Sequence, residues 1–242
     1  MLDNIWNPEL FVPLYLALCY SIFLVMIAGN FDKFAKWKKY VININAGLMF
    51  AYLFIQLLPD VFLHNDAPIP KFTYIFLFLG YISFYMAEKH EFALKESRMT
   101  RAQDLLMIRR AGFYVVHFIT GYLIVYVFSH KAFLSTLILL IPFTMYTIAM
   151  VLMYEDLEHW LAKSHNHTWT YAGLIFLGAV AATVTTYILD IPLFYFYAFF
   201  AGTLVYLMTT MDNPKQKRGH IVWFIVGILV FAILHTLDMT FG

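Results

Sequence analysis

The amino-acid sequence predicts an all-α membrane protein: a bundle of eight transmembrane helices with both termini outside the cytoplasm and its two ends related as an inverted repeat. Three observations carry that expectation. The first is composition. Of 242 residues, 62% are apolar and 13% charged, with a mean hydropathy of +0.72, against roughly 45–50% apolar and about 25% charged in soluble domains. A soluble fold of this length cannot cover so much hydrocarbon. The second is the recurrence of apolar stretches near the roughly 17–25 residues needed to cross about 30 Å of bilayer core. The third is where the charges fall.

The apolar stretches lie at about 10–28, 40–58, 72–87, 113–129, 132–153, 169–189, 191–211 and 221–237, and none contains Asp, Glu, Lys or Arg. Such segregation is expected where one charge at a helix centre costs at least ~2.5–3.5 kcal/mol. The opening MLDNIWNPEL has no basic stretch and no small-residue cleavage site, so the first span reads as retained and not as a signal peptide. Spans two to five are separated by short charged connections, except for residues 88–112, a mixed-charge stretch expected as a solvated loop that could instead form a short surface helix. The sixth span is rich in small residues (Ala172, Gly173, Gly178, Ala179, Ala181, Ala182), which suits close helix packing. Fourteen of the 16 Lys and Arg residues lie in the connections 1–2, 3–4, 5–6 and 7–8, leaving only Lys71 and Lys131 opposite. By the positive-inside rule those four loops are cytoplasmic. The chain reads as one integral-membrane domain over 1–242, assigned to the plasma membrane.

Several function classes drop out. A formal charge of +1 gives no electrostatic basis for a nucleic-acid partner, and the single Cys19 makes neither a disulfide framework nor a thiolate metal cluster. No Ser/His/Asp triad, phosphate-binding loop or intramembrane Lys can be assembled. An enzyme is therefore not expected. The expected surroundings are the lipid bilayer, with a homodimer or a membrane-protein partner left open.

The second and seventh spans share a pattern. Ala46-Gly47 is followed by Pro59, and Ala201-Gly202 by Pro214, with a Gly-to-Pro spacing of twelve in both. The second span runs outward and the seventh inward, as in transporter folds built from inverted halves around a midplane site.

With that pattern in place, the chain resembles the ZIP (Zrt/Irt-like) zinc and iron transporters. That family has eight spans, external termini and a 3+2+3 inverted-repeat topology. The stretch from Ala46 to Gln56-Leu57-Leu58-Pro59-Asp60 is similar to the family's glycine followed by His-Leu-Leu-Pro-Glu. Glu88-Lys89 closes the third span as in many ZIP proteins, and Ala201-Gly202 to Tyr206, leading to Met211-Asp212-Asn213-Pro214, resembles the family's seventh-span motif. The resemblance implies a divalent metal, zinc or iron, as substrate and no resident cofactor.

The departures bear on function. The family's fourth-span His-Asn-x-x-Asp is represented by His117, Phe118, Thr120 and Gly121, and its fifth-span His-Glu-x-Pro-His-Glu by Leu139, Leu140, Pro142, Phe143 and Thr144. Gln56 stands for the second-span His and Met211 for the seventh-span Glu. A divalent cation needs three or four N, O or S ligands and carboxylates to offset its charge. The expected transport path is therefore His117 and Thr120, which share a helix face, with Thr144 if spans four and five pack as in the family, and Gln56 and Asp60 near the outer end of span two. His117 is either an intramembrane site residue or a neutral imidazole hydrogen-bonded within the bundle. A second metal candidate is cytoplasmic: Glu155 and His159 at i, i+4, closed by His165 and His167. Against it stands the reading of a solvated loop flanked by the interface anchors Trp160 and Trp169.

These residues predict a ZIP-like multi-pass protein with a degenerate metal centre, a pseudo-transporter or a carrier of another substrate. The alternatives are a divergent divalent-metal transporter using His117, Gln56 and Asp60, a non-transporting subunit of a membrane complex, and, least favoured by the spacing of its histidines, an interfacial metalloenzyme.

Overall fold

A computed structural model describes residues 8–28, 30, 33–34, 36–63, 70–94, 98–131, 133–153, 165–187, 193–210 and 221–241. Among the described residues every regular element is helical, and eight rods follow the eight apolar stretches. They are α1 (Pro8–Ala28), α2, α3 (Pro70–Leu94), α4 (Arg98–His130), α5 (Phe133–Met153), α6 (His165–Tyr187), α7 (Leu193–Thr210) and α8 (Ile221–Phe241). The rod α2 runs from Lys38–Ala51 through a π-helical segment, Tyr52–Leu57, into Leu58–Leu63. Five rods hold a window long and apolar enough to cross a membrane, and the described parts of α3, α6 and α7 are shorter apolar helices.

Two boundaries differ from the sequence expectation. The connection 88–112 is helical on both sides of 95–97, as the ends of α3 and α4. Hydropathy sees only the apolar part of a helix, while Arg, Ala, Gln, Leu and Met between Arg98 and Ile108 are good helix formers with no Gly or Pro to stop them. Likewise α8 continues past 237 to Phe241 and so takes in Asp238, a carboxylate the shorter span excluded. The π-helical segment also has a local cause. Pro59 supplies no N–H and its ring crowds the carbonyl four residues back. Just before it the backbone widens, and the Leu58 N–H donates to the Leu53 carbonyl, one residue further back than in an α-helix.

The chain forms two compact units of discontinuous sequence. One comprises Met1–Lys38, Tyr114–Leu193 and Leu234–Gly242, the other Lys39–Phe113 and Phe194–Ile233. The first contains α1, α4 from Tyr114 on, α5, α6 and the end of α8; the second contains α2 from Lys39 on, α3, α4 up to Phe113, α7 and most of α8.

Each unit is held by helix crossings at paired glycines. In the second unit, a methyl at Gly47 would collide with the Phe224 carbonyl and one at Gly227 with the Ile44 carbonyl, so α2 and α8 meet backbone to backbone. The same reciprocity joins α3 and α7, where Gly80 abuts the Phe199 carbonyl and Gly202 the Leu77 carbonyl. In the first unit it joins α4 and α6, with Gly121 against the Ile175 carbonyl and Gly178 against the Phe118 carbonyl. Lipid is as apolar as a leucine, so helices in a membrane associate through close van der Waals contact, and that contact needs small residues where axes cross. Aromatic pairs fill the space beside the second unit's crossings, with Tyr52 edge-on to Phe231 at 5.8 Å and Tyr81 edge-on to Tyr206 at 5.6 Å.

Candidate functional site

The first unit is threaded by a buried polar chain that touches four helices. On α1, the Leu24 carbonyl accepts from the Tyr171 hydroxyl of α6 at 3.3 Å. The Tyr171 ring lies 4.8 Å from the imidazole of His117 on α4, and His117 Nε2 is 3.2 Å from Thr147 Oγ1 on α5. Thr147 Oγ1 also lies 3.0 Å from the Phe143 carbonyl, which accepts from it. The hydroxyl and Nε2 can each donate to the other according to the imidazole tautomer, and in both cases the Nε2 position is taken up by the threonine. His117 is 2% exposed.

The other expected path residues of this unit have separate partners. Thr120 is buried and donates to the Val116 carbonyl of its own helix at 2.8 Å. Thr144 donates to the Leu140 carbonyl at 2.7 Å and is 3.1 Å from the Tyr20 hydroxyl of α1. Thr144 thus points toward α1, and its neighbour one turn on, Thr147, meets the histidine in its place. Thr147 lay within reach of sequence reasoning, since it follows Thr144 at i+3 on the same face. Tyr171 and Tyr20 carried no such signal, because only the packing of α1 and α6 brings them in.

In the second unit, Gln56 is 2% exposed within the π-helical segment, and its Oε1 has no hydrogen-bond partner; Asn45 Oδ1, three turns earlier on α2, is buried in the same way. Asp60 is half-buried and accepts from the Tyr197 hydroxyl of α7 at 3.2 Å. That link ties the end of α2 to α7, and Tyr197→Phe should lower thermal stability by about 1 kcal/mol, read as the midpoint of heat-induced loss of the monodisperse peak in detergent.

The described residues contain one further buried carboxylate contact that the sequence did not single out. Asp238, 8% exposed near the end of α8, accepts a 2.6 Å hydrogen bond from Ser135 at the start of α5. Of the second set of metal candidates, Glu155 and His159 lie outside the described residues, as do Met211 and Pro214; His165 and His167 fall in the first turn of α6, and their side chains are not among those described. Among the described residues no group of three or more His, Cys, Asp or Glu side chains could hold a metal ion.

Fold and site together define a helical chain compatible with an integral membrane protein, with polar side chains buried inside its bundles. No family model, curated protein or solved structure matches it.

Proposed function

We propose that the chain is a ZIP-like multi-pass membrane protein whose metal-transport centre is degenerate, acting as a pseudo-transporter or carrying a substrate other than a divalent metal. The observation that carries this reading is the bond between His117 and Thr147. The one imidazole retained from the family's metal motif has its Nε2 engaged at 3.2 Å by a threonine that also reaches a backbone carbonyl. Such a group braces α4 against α5 and has its Nε2 occupied by a side-chain hydrogen bond where a cation would require a free lone pair. Thr120 and Thr144 are likewise turned to backbone carbonyls.

The paired glycines support the inverted-repeat part of the reading. Exchanging Gly47 with Gly202, as the shared Ala-Gly pattern suggests, exchanges α2 with α7. It also exchanges their partners, Gly227 on α8 and Gly80 on α3, so one crossing becomes the other. External termini and cytoplasmic loops 1–2, 3–4, 5–6 and 7–8 follow from the charge bias, and the plasma membrane is the location taken with them.

A cargo other than a metal is favoured by α2, where the unpartnered acceptors of Asn45 and Gln56 suit a molecule that donates hydrogen bonds. Metal content tests the main reading. Protein purified from zinc- and iron-supplemented cells should hold well under one equivalent of either metal by mass spectrometry, with no difference between wild type and His117→Ala. Stoichiometric metal that His117→Ala removes would overturn the degenerate-centre reading.

A further inference from the structure

The crossing of α1 and α5 in the first unit is built differently from the crossing of α4 and α6. Neither α1 nor α5 contains a glycine. Full side chains hold the two helices apart and leave a groove of about 480 Å³. Leu16, Cys19 and Phe23 form one wall, Leu137 and Ile141 the other, with Tyr20 and Thr144 at its floor.

We propose that this groove seats one acyl chain of a membrane phospholipid. Position is the first argument. The lining runs from Leu16 to Phe23 in the membrane-length window Phe11–Ala28, and from Leu137 to Met145 in the window Phe133–Leu152, so it lies at mid-span on both helices. Head groups and water do not reach that depth, and hydrocarbon does. Polar demand is the second. Thr144 reaches the Leu140 carbonyl and shares a hydrogen bond with the Tyr20 hydroxyl, so the two polar groups of the floor are partnered and ask nothing of an occupant. A groove so lined gives water too few partners to stay. Size is the third. A methylene takes about the room of a water molecule, roughly 30 Å³, so the groove holds on the order of fifteen carbons, one chain's worth. The inference rests on α1 and α5 crossing the bilayer and is independent of any cargo.

The test is photolabelling in phosphatidylcholine vesicles doped with phosphatidylcholine carrying a mid-chain diazirine, followed by peptide mass mapping. The expected result is label concentrated on the Leu16–Phe23 and Leu137–Met145 faces. Ile141→Trp, which fills the groove, should reduce it at least fivefold, and Ile22→Trp, on an exposed part of α1 outside the groove, should leave it unchanged. Label spread evenly around α1 and α5 would overturn the groove while leaving the membrane reading intact. No label on either helix would remove the membrane reading as well. Cys19, the chain's one cysteine and exposed in the groove wall, supplies an independent check. A disulfide-linked dimer formed in vesicles on mild oxidation would seat a second copy there and overturn the proposal. Should Ile141→Trp not fold, the distribution of label on the wild type decides the question alone.

Discussion

Gly121→Ala is expected to destabilise the first unit by about 3 kcal/mol or more, the upper end of the cost of overpacking, and Gly121→Val to abolish monodisperse protein. A Cβ at Gly121 meets the Ile175 carbonyl with the Ala179 amide just beyond, and a backbone cannot move aside as a side-chain tip can. Two controls make the expectation specific. Gly173, on the same helix as the partner glycine, has nothing within 4 Å of where a Cβ would stand. Gly173→Ala should be neutral or stabilising by up to about 1 kcal/mol, because it removes glycine's unfolded-state entropy from a helix interior. Gly178→Ala should match Gly121→Ala, since each abuts the other's helix. The double variant should cost less than the two singles together, because the first methyl has already forced the helices apart. Heating in detergent followed by size-exclusion chromatography reads the three single alanine variants and the double variant. Equal midpoints for Gly121→Ala and Gly173→Ala would mean that α4 and α6 do not cross at this point.

The second large effect is expected at the contact between Ser135 and Asp238. At 2.6 Å, the distance is that of a charge-assisted hydroxyl to carboxylate bond. Asp238 sits in the last turn of α8, where the unpaired helix carbonyls already disfavour negative charge, and it is nearly withdrawn from solvent. Ser135→Ala removes the donor and leaves the carboxylate buried, costing about 1.5–3 kcal/mol. Asp238→Asn keeps an acceptor oxygen without the charge and should cost less. In the Asn background, Ser135→Ala should lose most of its effect, a coupling that a double-mutant cycle on thermal midpoints measures directly. Additive effects would show that the serine stabilises something other than the carboxylate.

Membrane helices announce themselves by composition, which is why the eight stretches read from hydropathy coincide with α1 to α8 to within a few residues over most of their lengths. The misses share one cause. Residues 88–94, residues 98–112 and the end of α8 are polar enough to fall below an apolar threshold, yet they continue helices already nucleated by their apolar neighbours, and adding residues to an existing helix is cheap. Of the candidate site, His117 stood out because an imidazole in hydrocarbon is expensive. Its partner was misplaced by one turn. Thr144 and Thr147 differ by three residues on one face of α5, and which of them meets α4 depends on the rotation of that helix, a quantity no local pattern encodes. Asp238 was passed over for the related reason that a carboxylate near a span end is ordinarily solvated, and only the arrival of Ser135 makes it buried.

By itself the sequence determined that this chain is hydrocarbon-rich helix and that its charges sit outside the eight apolar stretches. Those properties are local, set by transfer free energies residue by residue. The tertiary structure decided which glycine meets which, which hydroxyl meets the histidine and where a groove is left open. Each of those depends on the spacing and rotation of two helices distant in sequence, and contact geometry at ångström scale decides it where hydropathy is the same for every arrangement.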